Sequence, residues 1–306
     1  QPRTPGQRSM PADGVPGIAA DTAGRESFGS RLGRAMADRG PLCVGIDPHP
    51  ALLGSWGLND DVAGLERFSL TVLEAVAPLA AAVKPQVALY ERHGSAGMAV
   101  LERTLAAAAD ASVLSIADAK RGDIGSTMAA YADAWLRDGS ALAADSVTLS
   151  PYLGFESLRP ALDLAAQTGR GVFVLALTSN PEGASVQHVG GADSVARRIV
   201  RAAAAENRRY GVEQDGGELG STGLVVGATV GSALVDLDLD LAAVRGPILA
   251  PGLGAQGATA ADLRRTFGNA YGQVLGTSSR DILGAGPRIQ DLRNAALRTL
   301  EELRAA

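Results

Sequence analysis

The chain has 306 residues, 46% of them hydrophobic and 20% charged, and a formal net charge of -5. That balance belongs to globular proteins and argues against the clustered positive charge that nucleic acids and acidic membranes select. No apolar run reaches the roughly 18 residues of a membrane span and no charged start with an apolar middle marks a secretory leader, so the chain reads as a cytoplasmic protein acting on small molecules.

Residues 1–24, QPRTPGQRSMPADGVPGIAADTAG, are rich in Pro, Gly and small polar residues without periodicity. They are expected to form a flexible tail outside the fold, leaving 25–306 as one catalytic domain. From there β-like runs occur at 42–47, 81–89, 112–120, 144–150, 171–178, 223–229, 247–253 and 271–278. Ala- and Leu-rich stretches with helical spacing lie between them, among them LERFSLTVLEAVAPLA, SAGMAVLERTLAAAA and TMAAYADAWLRDG. NDDVAGLERF reads as a helix start, with Asp60 or Asp61 suited to the helix dipole. Strands alternating with helices favour parallel βαβ units, and eight of them close into a (β/α)₈ barrel of about this length. An open doubly wound sheet is the alternative, but no GxGxxG follows the first strand.

Single residues narrow the chemistry. The one cysteine, Cys43, lies in the apolar run LCVGID, so no internal disulfide is possible and a buried apolar role is expected. His49, His93 and His188 are scattered and show no metal-ligand spacing. Against 26 arginines there are only two lysines, Lys84 and Lys120. A guanidinium cannot replace an ammonium that must give up a proton, so both lysines become candidates.

Lys120 lies in SIADAKRGDIGST, where Asp118, Lys120 and Asp123 alternate in charge. Barrel chemistry sits at the C-terminal ends of strands, and residues two apart share a strand face. Asp118 and Lys120 therefore point the same way, while Asp123, Ile124 and Thr127 fall on the following loop or first helical turn. A lysine between carboxylates is held protonated, a poor nucleophile but a good proton donor. Two aspartates also repel a substrate carboxylate beside them. The set suits loss of CO2 followed by protonation. After the last two strand candidates come PGLGAQG and TSSRDIL, the loops that commonly hold phosphate in barrels, with Gln256 and Arg280 as donors.

DAKRGDIGST, with VKPQVALYE upstream, SPYLG in the middle and APGLGAQG near the end, resembles the orotidine 5′-phosphate decarboxylases, in particular their longer bacterial type 2 branch. The resemblance implies a TIM barrel, conversion of orotidine 5′-phosphate to UMP and CO2 in pyrimidine synthesis, and no metal or organic cofactor. It implies that Lys84, Asp118, Lys120 and Asp123 form the charged catalytic network. Lys120 would protonate C6, and Asp118 would sit by the departing carboxylate. By the same resemblance Asp123, Ile124 and Thr127 reach into a partner's site, making a homodimer. By the same resemblance Asp47 would contact ribose, Ser179 the pyrimidine ring, and Gln256 and Arg280 the phosphate. Ser150 departs from the asparagine expected there in many members. Residues 180–193 read equally as a lid or a surface loop. Two other activities stay open on the residues: a metal-dependent sugar-phosphate barrel of related design, and a Schiff-base aldolase using either lysine. A binding protein without catalysis leaves the two acids beside a lysine unexplained.

Overall fold

The computed structural model describes residues 24–213, 216–254 and 257–306. Eight parallel strands close into a barrel in sequence order: β1 (Leu42–Ile46), β2 (Ala82–Pro85), β3 (Leu114–Arg121), β4 (Ser146–Leu149), β5 (Gly171–Leu177), β6 (Thr222–Val226), β7 (Ile248–Pro251) and β8 (Val274–Ser278). β8 pairs with β1. Helices occupy the connections, as a parallel sheet requires.

The two-residue period of a strand sorts each one between two cores. Cys43, Ala82, Ile116, Phe173, Val225, Leu249 and Leu275 form one buried cluster with Phe28 and Leu32. Their strand neighbours, such as Val44, Val83, Ala117, Val174, Leu224 and Val274, pack in a second cluster with residues of the surrounding helices. The first set therefore faces the barrel axis, and the helix Phe28–Arg39 closes the N-terminal end. Phe28 meets Phe173 edge to face at 5.9 Å. Arg31 Nη1 donates to Asp145 Oδ1 at 2.6 Å, while Asp145 Oδ2 accepts from the Ser115 N–H at 2.9 Å. One carboxylate thus ties this helix to β3.

Local signals end and start the helices as expected of them. The helix Val62–Val76 begins at Asp61, whose side chain accepts from the Gly64 N–H. A Thr259–Asp262 capping box opens Ala260–Phe267. Strand limits differ from the sequence reading, most clearly at three places. The run 81–89 stops being strand at Pro85 and becomes a helical turn at Ala88–Glu91. Pro85 has no N–H to donate, and only Gln86 still pairs beyond it, before the Val87 N–H turns to Asp118 O. Ser112 is left-handed at φ +55 and belongs to the turn before β3. Residues 271–273 belong to a 3₁₀ segment, Gly268–Gln273. The helices Phe28–Arg39 and Ile289–Ala305 were not among the predicted elements. Of the predicted tail, residues 1–24, all but Gly24 lie outside the described residues.

Candidate active site

At the C-terminal ends of the strands the inward positions change character. Two residues beyond Ala82 comes Lys84; beyond Ile116, Asp118; beyond Leu275, Thr277. These three line a cavity of about 450 Å³ whose walls also include Asp47, His49, Gln86, Lys120, Gly252, Ser279 and Arg280. Val225 and Leu249 line it as well. The same alternation that fills the interior with apolar side chains thus delivers charge to its mouth.

Asp118 is the hub. Its Oδ2 accepts from Lys84 Nζ at 2.8 Å and its Oδ1 from Lys120 Nζ at 2.6 Å. The Lys84 and Asp118 side chains are 7% and 9% exposed, whereas that of Lys120 is 44% exposed and open to a ligand. Burial opposes the Asp118 carboxylate, but attraction from Lys84 and Lys120 and the hydrogen bonds they donate override it and hold its pKa well below the usual carboxylate range. Burial likewise opposes the Lys84 ammonium, and the charges of Asp118 and Asp47 override it, raising its pKa above the ordinary lysine value. Both groups therefore carry their charges throughout the neutral range. Cys43, below them on the inner face, is fully buried, and burial pushes its thiol up to about 12, which fits a packing role.

The β1 and β8 ends meet closely. A Cβ on Gly45 would come within 2.0 Å of Ser279 Oγ, so a larger residue there would have to turn the Ser279 side chain aside next to Arg280. Gly254, at φ +81, stands against the Asp281 carboxylate, where a Cβ would come within 1.8 Å of Oδ2. The loops after β7 and β8 are packed together there. One buried oxygen of Asp47, Oδ1, has no hydrogen-bond partner among the described residues and belongs to a residue of the cavity wall.

A profile described as the orotidine 5′-phosphate decarboxylase / HUMPS family matches residues 40–295. The orotidine 5′-phosphate decarboxylase of Salinispora arenicola is 57% identical over 283 residues, spanning 92% of this chain and 98% of that protein. That of Streptomyces coelicolor is 56% identical over the same shares. The chain belongs to the orotidine 5′-phosphate decarboxylase family. It converts orotidine 5′-phosphate to UMP and CO2. A Streptomyces avermitilis crystal structure assigned to this activity superposes with a TM-score of 0.87 at 56% identity, covering 94% of this chain and 98% of its own. The Leishmania donovani OMP decarboxylase superposes at 0.72 with 30% identity, over 91% and 98% of the two chains.

Of the residues expected in the decarboxylase site, the structure brings Asp47, Lys84, Asp118, Lys120 and Arg280 to one cavity. Asp123 is half-buried, its Oδ1 accepting from the Ile124 N–H at 2.7 Å, and neither it nor Ile124 or Thr127 lines that cavity. Ser179 lines a separate cavity with Thr178, Asn180 and His188. The segment 180–193 is folded into short helical turns, and Gln187 exchanges hydrogen bonds with Thr178. Gln256 lies outside the described residues. Among the described residues no group of three or more His, Cys, Asp or Glu side chains could hold a metal ion, and no helix is long and apolar enough to cross a membrane. Sequence reasoning passed over His49, Gln86, Thr277 and Ser279. Gln86 and Thr277 carried a usable signal, since each lies two residues beyond an inward-facing position.

Proposed function

We propose that decarboxylation runs on the Lys84–Asp118–Lys120 triad without metal or organic cofactor, in one domain spanning residues 25–306. The observation that carries this reading is the single buried carboxylate held between two ammonium groups, one sealed and one open to the cavity. The substrate's carboxylate lies beside Asp118, and like charges so close destabilise it. As the C6–carboxylate bond breaks, its electron pair stays on C6 and CO2 departs. Lys120 Nζ then gives C6 a proton and is recharged from solvent. Lys84 neutralises the other side of Asp118, so that the carboxylate stays ionised.

Phosphate is assigned to Arg280 and the loops after β7 and β8, with Gln256 a further donor. Remote binding energy of this kind can offset the unfavourable contact at the reacting carbon. Asp47, on the cavity wall, is assigned to the ribose on the resemblance. Ser179 is assigned to the pyrimidine on the resemblance alone.

Asp123, Ile124 and Thr127 are assigned to the site of a second copy of the chain. Support comes from their position outside their own cavity and from exposed apolar side chains on two touching loops. Ile124 is 62% and Tyr152 78% exposed, and the loops meet where Ser150 N donates to Arg121 O at 2.8 Å. Cytoplasmic location, a homodimer and the absence of nucleic-acid and membrane partners complete the reading.

Mixing Lys120→Ala and Asp123→Asn chains tests the shared site. Each alone should be nearly inactive, and hybrids should regain activity because one of their two sites holds every native residue. Hybrids that form and stay inactive would show that the two residues serve one chain. Activity that survives a chelator is expected, and its loss on chelation would overturn the metal-free reading.

A further inference from the structure

Between Ala117, which pairs with Val147, and Arg121, which pairs with Leu149, β3 carries three residues where β4 carries one. The three are Asp118, Ala119 and Lys120. The one is Thr148, which is 1% exposed. Such a bulge re-aims side chains, and it leaves Lys120 left-handed at φ +50. A residue other than glycine holds that conformation only where its surroundings enforce it.

Thr148 does so with one hydroxyl. Its Oγ1 accepts from the Lys120 N–H at 2.9 Å and donates to Asp118 Oδ1 at 2.9 Å. With a lone pair occupied by the peptide N–H, the single hydroxyl proton is directed at the carboxylate. Asp118 Oδ1 is also the atom that receives Lys120 Nζ. The backbone of Lys120, the hydroxyl, the carboxylate and the ammonium therefore close a ring. Threonine's branched Cβ restricts χ1, which keeps the hydroxyl in register.

We propose that Thr148 is a positioning residue for decarboxylation: it locks the bulge of β3 and one oxygen of Asp118 so that the Lys120 ammonium is aimed at the reacting carbon. The inference rests on the reading of Asp118 and Lys120 as the catalytic pair. It concerns orientation, so it bears on turnover and not on ligand binding.

The test compares kcat and KM for orotidine 5′-phosphate and Kd for UMP among the wild type, Thr148→Val, Thr148→Ala, Thr148→Ser and Lys120→Ala. Thr148→Val keeps the branched shape and loses both hydrogen bonds. Its kcat is expected to fall about 10- to 100-fold, the scale of a hydrogen bond to a charged group, with KM and the UMP Kd within about threefold of wild type. Thr148→Ala, measured in parallel in case valine impairs folding, should fall as far, and Thr148→Ser should recover to within about threefold of wild type. Wild-type turnover in Thr148→Val or Thr148→Ala beside an inactive Lys120→Ala would overturn this inference alone. So would Thr148→Ser falling as low as Thr148→Ala, or UMP affinity lost in step with kcat. Lys120→Ala at the wild-type rate would overturn the site reading itself.

Discussion

At its N-terminal end the barrel interior is closed by Phe28 against Phe173, with Leu32, Ile116 and Leu275 around them. At its C-terminal end the next inward positions of β2, β3 and β8 are Lys84, Asp118 and Thr277. One backbone period thus builds a hydrophobic plug and an ionic mouth a few residues apart. The floor is held by area removed from water, and the mouth by Coulomb attraction that must exceed the cost of burying charge. Substitutions at the two ends should accordingly fail in different ways.

The largest expected effect is at the mouth. Asp118→Asn leaves Lys84 buried with Asp47 as its remaining carboxylate neighbour among the described residues and the Lys120 ammonium close by, and breaking such a pair costs about 3–5 kcal/mol of stability. It should also lower kcat by about 10³-fold, in the range for a lost acid–base or electrostatic group. Denaturant unfolding together with CO2 release checks both, and a stable or active Asp118→Asn chain would break the contrast. Phe28→Ala should cost about 3–5 kcal/mol through the cavity it opens. In the fraction that stays folded, kcat should be little changed. A Phe28→Ala chain with native stability would show that the helix Phe28–Arg39 is not the plug described.

Arg280→Ala acts at the mouth but away from the reacting carbon. It should reduce kcat/KM by the equivalent of about 1.5–3 kcal/mol or more, as for a lost charged hydrogen bond. An unchanged kcat/KM would remove Arg280 from the phosphate site. The smallest effect is an absence of one. The Asp118 pKa is lowered on folding, so its contribution to stability is complete above its unfolded value of about 3.9 and is lost only as pH falls through the lower folded value. The Lys84 pKa is raised, so its contribution is complete below about 10.4 and is lost only as pH rises through the higher folded value. Neither group should therefore titrate in the folded wild type between about pH 5 and pH 8, which NMR titration of the carboxyl and ammonium groups reads directly. A titration of either group inside that window would contradict the ionisation states assigned here.

The floor and the mouth were not equally legible. Short apolar runs gave all eight strands, because most strand positions are buried on both faces and so read as a continuous apolar segment. Asp118 and Lys120 were legible because they continue the inward parity of Ile116 and because lysine is so scarce in the chain. The turn at Ala88–Glu91 was not, since VALYE is as apolar as a strand and only the end of β1 at Ile46 removes its pairing partner. Phe28–Arg39 follows a Pro- and Gly-rich stretch and carries few apolar residues, so its plugging role emerges only with Phe173 across the barrel. Ile289–Ala305 buries Leu292, Ala296, Leu300 and Leu303, a helical spacing present in the sequence and left unused. The left-handed Lys120 and its Thr148 contact depend on register between strands, which no local pattern encodes.

The role of Lys120 as the source of the C6 proton is tested most directly by Lys120→Arg, assayed for CO2 release beside Lys120→Ala. Arginine keeps the positive charge next to Asp118 but gives up its proton far less readily. Both variants should fall by about 10³- to 10⁴-fold, the span of a lost general acid, while UMP still binds. Turnover in Lys120→Arg close to that of the wild type would mean that charge alone suffices, and would contradict proton transfer from this residue.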